Sequence, residues 1–507
     1  MEALPSVRHT LLAAAICAAA LLLFAGRSQA AETIYWNNYS ATPSSIALAA
    51  PDGSGGGQLS SAGAEINNSE GMAYDRVTNR IYVASEASDK IVAISPNGSG
   101  ASYFSAPGAP VESPEGVVLD PETRIVYWIN SGPESISWAR LDGSAGGVVN
   151  TMGTPVNAYR LTIDPVGKRL YWFDETLKGV VSVSVDGGIV TALDTTGATP
   201  GTESSGIAVE PGLGKVFWLN ANGKAVSWAS LAGTGGGDIP VSEPALEGGY
   251  GLAVDAATNR VYWGNYKAGK TRSNALGVLD LSGPSLPINV TSAPVNGPQD
   301  PLLLKSPSAS AAPVVTRGAK ATAAQLSCST GTWAADAPGA FVYQSPSSYA
   351  YQWLRNGAPL TGAVAPTLTA TKPGEYACTV TGTNQEGSAS STSAAAATVK
   401  AAKFKLVVKT KKAKAKPGKL ATFKLQAQNQ GDLKSKSSSI CVKLTKAQRQ
   451  ALKAPKCKKL GQVGAAVRKT VKLKIKVKPE AQGTYKIKLV PKGTGGKAVK
   501  AKLQVIG

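Results

Sequence analysis

Histidine is all but missing from this chain of 507 residues: the single copy is His9. It lies in an N-terminal stretch that reads as a secretory signal, so the mature chain is expected to have none. That excludes Ser-His-Asp and Cys-His catalysis, histidine general bases and histidine metal ligands. Cysteine is scarce, with five copies, one of them Cys17 in the same stretch. After the first 30 residues no apolar run is long enough to cross a bilayer as a helix. Acidic side chains nearly vanish from the last fifth, where residues 401–507 hold 30 Lys and Arg against Asp432 and Glu480. The first 400 residues carry 23 basic and 30 acidic groups, so the net charge of +21 belongs to the C-terminal segment alone.

Residues 1–30 have the build of a signal peptide. Arg8 marks the n-region, Leu11–Ala25 is the apolar run, and Ser28-Gln29-Ala30 is a small-x-small cleavage site. The run is too short and wrongly flanked for a membrane span. The mature chain is therefore expected to be secreted, extracellular or envelope-associated, without a transmembrane helix. An even number of cysteines remains, and pairing them by domain gives Cys328–Cys378 and Cys441–Cys457, with buried free thiols as the alternative.

What the chain does have is a repeat. GLAVDAATNRVYWGN (Gly251–Asn265) is two short apolar runs about a polar turn, a hairpin pattern. It recurs from Gly71, Gly116 and Gly206, and more weakly from Arg160 as RLTIDPVGKRLYWFD. The acids closing the first run, Asp75, Asp120, Asp164, Glu210 and Asp255, are spaced 45, 44, 46 and 45 residues apart. With a third alternating run, a Gly-rich turn and a short fourth run, each period reads as a four-stranded propeller blade. Aromatic strands occur six times, at Tyr35-Trp36, Tyr82, Tyr127-Trp128, Tyr171-Trp172, Phe217-Trp218 and Tyr262-Trp263. The strand before them also occurs six times, the last copy around Gly297–Leu304, out of phase with the first count. Joining the unpaired strands at the two ends closes a ring of six and removes its open edges.

These residues resemble the YWTD repeat, the class B repeat of low-density lipoprotein receptors, over roughly residues 32–306. The resemblance implies a six-bladed β-propeller with a protein-binding face. The third motif position departs from the family, with Asn37, Ala84, Ile129, Phe173, Leu219 and Gly264 in place of Thr. The aromatic pairs are expected in the core, and Asp52-Gly53-Ser54, Asp142-Gly143-Ser144 and Asp186-Gly187 as turns.

Strand alternation sends two sets of loops to one side of the ring. Glu70, Glu115, Tyr159, Arg160, Ser205, Tyr250 and Asn296 come from one set. Tyr39, Glu86, Glu134, Glu175, Asn222, Tyr266 and Lys267 come from the other. Tyr39, Glu70, Glu115, Glu134, Tyr159, Arg160, Glu175, Tyr250 and Tyr266 are the candidate ligand-binding residues, for a protein or glycan partner.

After a linker at 307–312, residues 313–398 place Trp353 between Cys328 and Cys378, with Tyr376 two residues before the second cysteine. This resembles an immunoglobulin-like sandwich with its tyrosine corner. The long interval from Cys328 to Trp353 is expected to hold an enlarged loop around Ser345–Tyr349. Residues 403–507 alternate apolar with lysine, as in FKLVVK (Phe404–Lys409), VKLKIKVK (Val471–Lys478) and TYKIKLV (Thr484–Val490), around a short helix at Thr445–Ala454. They resemble a small adhesion-type β-sandwich of bacterial surface proteins. The fold class expected is all-β: a six-bladed propeller followed by two sandwiches.

A lysine-dominated module attracts polyanions diffusely, and in an exported chain these are anionic envelope polymers or a lipid surface. Nucleic acid is not expected, for want of interleaved aromatics. The expectation is an exported binding or adhesion protein, with no cofactor and no metal. The alternatives are a structural surface protein, or a propeller lyase or lactonase using Glu70 and Glu115 as an acid/base pair.

Overall fold

In a computed structural model of the chain, the described residues are 32–507 except 42, 200, 202–205, 221–223, 242–245, 247, 267–274, 283–284, 289, 291–292, 395–396 and 494. The expected signal segment, with His9 and Cys17, and the face residues Ser205, Asn222 and Lys267 lie outside them. The fold is all-β, and the chain forms two compact units. The first holds the chain up to Ser308 together with Trp333–Ser348 and Gly382–Ala389; the second holds the rest.

The first unit is a closed propeller. Five blades run consecutively, with inner strands Ser69–Asp75, Pro114–Asp120, Leu161–Asp164, Ile207–Glu210 and Gly249–Asp255. The sixth draws on both ends of the repeat region: Glu32–Asn38 pairs antiparallel with Pro298–Lys305, Ile34 facing Leu303, as the out-of-phase count requires. Each inner strand packs beside the next, and Pro298–Lys305 lies beside Ser69–Asp75 to complete the ring.

The aromatic pairs are its mortar. Trp36, Trp128, Trp172, Trp218 and Trp263 are all fully buried. Tyr127 packs into the cluster shared with the following blade and Trp128 into that shared with the preceding one, so the pair fills both faces of its strand. The indole N–H of Trp36, Trp128 and Trp263 donates to Asn38, Asn130 and Asn265 two residues on, each at 3.1 Å. These asparagines also hold the connector leading into the blade: Asn130 accepts from Glu112 N, and Asn38 donates to Pro294 O.

The repeat acids do two jobs. Asp75 accepts from the Val77 and Thr78 amides of its own turn and from Arg124 Nη1 of the next blade at 2.5 Å. Asp120 takes Lys168 Nζ (3.1 Å) and Asp255 takes Lys305 Nζ (2.5 Å) in the same way. Three inter-blade ties are thus ion pairs about one period apart, and Asn37 adds a hydrogen bond from Nδ2 to Glu70 O of the next blade. In the Asp-Gly-Ser turns at Asp52 and Asp142 the carboxylate accepts from the Ser amide and hydroxyl two residues on, which is turn chemistry.

The segment Trp333–Ser348 enters the ring and stops its channel. A 3-10 turn at Pro338–Ala340 seats Gly339 where a Cβ would lie 1.9 Å from Ile163 O and 3.0 Å from Val209 O, so only glycine fits. The Thr162 hydroxyl donates to Gly339 O at 2.6 Å. Val342–Tyr343 then adds a fifth strand to the closing blade, parallel to Pro298–Lys305, and Leu303 N donates to Phe341 O at 2.9 Å. Phe341 packs against three of the inter-blade clusters. The enlarged loop expected around Ser345–Tyr349 is thus the tail of a longer excursion, Trp333–Ser348, whose stretch 338–343 lies inside the propeller, while Ser348–Arg355 is a strand.

In the second unit Cys328 is bonded to Cys378 and Cys441 to Cys457. Trp353 is buried, and the Tyr376 hydroxyl donates to Lys372 O at 2.7 Å, the tyrosine-corner contact. The basic region folds as two sheets over one apolar core that includes Phe404, Phe423, Leu473, Ile487 and Leu503. Its helix is Lys446–Ala451, started by a Thr445/Gln448 capping box.

Candidate ligand face

The inner strands converge at the end where the candidate residues lie. Their register aligns Gly71, Gly116, Gly206 and Gly251 at one ring position. A Cβ on Gly71 would lie 2.4 Å from Val117 N, one on Gly116 2.5 Å from Leu161 N, and one on Gly251 2.3 Å from Asp300 N. The repeat's glycine is thus a close-approach residue, needed because six strands crowd around the axis.

Two of the six strands break this rule. At the glycine position the strand of Leu161–Asp164 has Arg160, and that of Pro298–Lys305 has Asp300. These strands are three blades apart, on opposite sides of the ring. Their side chains meet across the axis, Arg160 Nε to Asp300 Oδ1 at 2.5 Å. Arg160 Nη2 also reaches Glu70 Oε2 (2.5 Å) and Gln299 Oε1 (2.6 Å), and Nη1 donates to Tyr159 O (2.9 Å). A bulge at Glu70/Met72 helps turn Glu70 inward. Arg160, Glu70, Glu115 and Asp300 are each under 10% exposed.

Three carboxylates surround one guanidinium, so the cluster is short of positive charge. Burial pushes Glu70 up to about 8, against the lowering pull of Arg160. Burial likewise takes Glu115 up to about 7 and raises Asp300. For Arg160, burial pulls its pKa down, but Asp300, Glu70 and Glu115 more than offset this and hold it above its usual value. Glu115 Oε2 and Asp300 Oδ2 are buried without a protein hydrogen-bond partner. Beneath Arg160 and Asp300, with Phe341 as its floor, is a cavity of about 10 Å³, room for one water.

Above the cluster lies an aromatic rim. Tyr266 packs edge-on against Tyr39 (5.2 Å between centroids) and Tyr250 (5.5 Å), and the Arg160 guanidinium sits 5.7 Å from the Tyr250 ring. Burial, with Glu70 and Glu86 nearby, pushes the Tyr39 phenol up to about 12. Tyr159 is 46% exposed. Glu134 is exposed, and Glu175 is held by Lys178 at 2.9 Å.

The nine candidate residues thus divide into two tiers. Glu70, Glu115 and Arg160 are turned inward and form the buried seal; Tyr39, Tyr250 and Tyr266 pack into the rim, Tyr159 is exposed, and Glu134 and Glu175 lie in the hairpin loops that follow Asn130 and Asp174. Asp300 and Gln299 complete the seal and Phe341 floors it, three residues outside the candidate set. The signal for Asp300 lies in the repeat itself: a charged residue stands where its counterparts have glycine.

No family model matches the chain, and no curated protein matches its sequence. Among solved structures, a chain in a crystal structure of a nidogen/laminin complex aligns with 54% of this chain and 98% of its own length. The identity is 17% and the TM-score 0.43.

Proposed function

We propose that the chain is an exported, non-catalytic binding or adhesion protein. The propeller rim takes a protein or glycan partner, and the lysine-rich module retains the protein at anionic envelope polymers or a lipid surface. The observation that carries the binding role is the tyrosine rim gathered over a stopped channel. Tyr39, Tyr159, Tyr250 and Tyr266 offer rigid amphipathic rings at the surface, the residue type that anchors interfaces at low entropic cost. A ligand on this face lies across the rim, not down the axis. The non-catalytic reading is supported by the ion pair that holds Glu70 to Arg160 at 2.5 Å inside the seal, so one member of the would-be acid/base pair is already engaged. Export is supported by two disulfides, and among the described residues no helix is long and apolar enough to cross a membrane.

The test uses the full chain, immobilised and offered a panel of glycans and solubilised envelope proteins, beside a Tyr159→Ser/Tyr266→Ser variant. Binding that the variant loses with its thermal unfolding unchanged supports the rim. A ligand held equally by both proteins, or none from either panel, overturns it. Retention is read separately, as release of the protein from envelope preparations when salt is raised to about 1 M, where the screening length falls to about 3 Å. Failure to elute counts against it.

A further inference from the structure

The lysines of the basic module are ordered by the register of its two sheets. In one sheet Lys502 lies between Lys412 and Lys486 on adjacent strands, and Lys488 lies between Lys500 and Lys443. These are two rungs, each three strands wide, of like charges directly opposite one another. In the other sheet Lys424 faces Lys472 and Lys453 faces Lys476, with Lys474 between the two along its strand. All of these lysines are exposed, while their strand neighbours Leu503, Ile487, Leu489, Phe423, Leu473 and Ile475 fill the single core between the sheets. The two lattices therefore point in opposite directions.

Like charges placed directly across a ladder destabilise a sheet, and the basic segment offers Asp432 and Glu480 as its only acids. Asp432 is already engaged by Arg317 at 2.6 Å. The charge that neutralises two opposed lattices must come from outside the segment. We infer that the basic module is a two-faced bridge, each outer sheet face taking a separate linear polyanion and so cross-linking two polymer strands. This rests on the envelope-retention reading above and narrows its partner.

A linear polymer fits better than a bilayer for two reasons. A flat membrane engages one face and leaves the opposite lattice unneutralised. The apolar side chains exposed among the lysines are scattered, as with Leu420 opposite Lys476 and Val407 opposite Gln426, and do not make the continuous apolar face that an interfacial membrane element buries. Within a sheet the charges recur at about 4.8 Å across strands and about 6.8 Å along them. Three backbone bonds span about 3.5 Å in an extended chain. A polyol-phosphate polymer with six bonds per repeat therefore brings an anion about every 7 Å. Compact ammonium groups meet such phosphates as point charges, without the bidentate geometry arginine requires.

The test mixes the full chain with poly(glycerol phosphate) and follows light scattering and, separately, binding. The wild type should turn the mixture turbid near charge equivalence and clear again with excess polymer or about 1 M salt. Two variants remove one face each: K424Q/K472Q/K474Q/K476Q and K443Q/K486Q/K488Q/K502Q. Each should still bind polymer, at least threefold more weakly, but give less than a tenth of the turbidity; the combined variant should not bind. Thermal unfolding checks that every variant is folded, which the relief of like-charge contacts favours. If the wild type binds no polymer, or binds anionic phospholipid vesicles instead, both retention by polymer and bridging fall. If it binds but either one-face variant scatters as the wild type does, bridging alone is overturned.

Discussion

Replacing Arg160 with Met should destabilise the propeller in a pH-dependent way. Arg160 holds Asp300 and Glu70 at 2.5 Å each and Gln299 at 2.6 Å in a site closed above by tyrosines and below by Phe341. Removing one partner of a buried ion pair leaves an uncompensated charge, worth about 3–5 kcal/mol. For a unit of this size each kcal/mol shifts the midpoint by roughly 2–4 °C, so a fall of roughly 6–20 °C is expected. The sign with pH follows from the carboxylates. Without the guanidinium, the pull that lowers Glu70, Glu115 and Asp300 is gone and their folded pKa values rise further. A raised folded pKa gives stability that is present at low pH and lost as pH rises through it. The variant should therefore lie closest to wild type near pH 5 and furthest from it near pH 8.5. Thermal scans following tryptophan fluorescence report on the packed Trp128 and Trp263. A double-mutant cycle with Asp300→Gly sharpens the test, since Asp300 has φ +47° where its counterparts are glycine. The pair should couple by about 2 kcal/mol or more. A loss below about 1 kcal/mol, independent of pH, or strictly additive singles, would refute the reasoning.

Three further outcomes are expected. In the wild type, Glu70 lies at about 8 in the folded state against 4.5 for the free group, so propeller stability should decline from pH 5.5 to 8.5. Glu70→Gln should flatten that decline, and an unaltered slope would assign it to other groups. Gly339→Ala sets a methyl against Ile163 O, an overpacking cost of about 1–3 kcal/mol. It should also make the 333–348 segment a site of limited proteolysis, and an intact segment with unchanged unfolding would show that it is not tightly seated. Cys441→Ser/Cys457→Ser opens a loop of 16 residues, for which chain entropy predicts a loss of about 3 kcal/mol in the basic module. Urea titration of the variant beside the oxidised wild type measures it.

The ring was legible in the residues because its logic is local and repeated. A Tyr-Trp pair that must fill both faces of a strand leaves the same trace in every period, and counting traces yields both the number of blades and their closure at the termini. Depth along the axis leaves no such trace. Alternation places Glu70, Glu115 and Arg160 at the correct end of their strands. Whether they face solvent depends on how tightly six strands converge, and that appears only when Gly71 is seen against Val117 and Gly116 against Leu161. The inter-blade ties were hidden for a related reason. Arg124 reaches Asp75 and Lys168 reaches Asp120 from the next blade's turn, so each pair spans one period plus a few residues and neither member stands out alone. The plug is the extreme case: Pro338-Gly339-Ala340 has the composition of an ordinary loop, and its partners Thr162, Ile163 and Val209 lie far back in the chain.

The two places where the repeat fails are also the two that shape what the face can do. Glycine at the convergence point lets inner strands touch and leaves the axis open. Putting Arg160 and Asp300 there, of opposite charge and three blades apart, spans the opening with an ion pair that neither residue forms with an adjacent strand's repeat. Glu70 and Gln299 then saturate the guanidinium, and Phe341 arrives from the far side to exclude all but a water. A channel closed from both ends by unrelated means, a charge pair above and an inserted segment below, is not a conduit or a deep pocket. Above the seal lie the tyrosines proposed as the recognition rim, with Arg160 against the Tyr250 ring linking the two tiers. Loss of the seal should therefore reach the rim through Tyr250, and the Arg160→Met variant should weaken rim binding even at pH 5, where its stability is nearest to wild type.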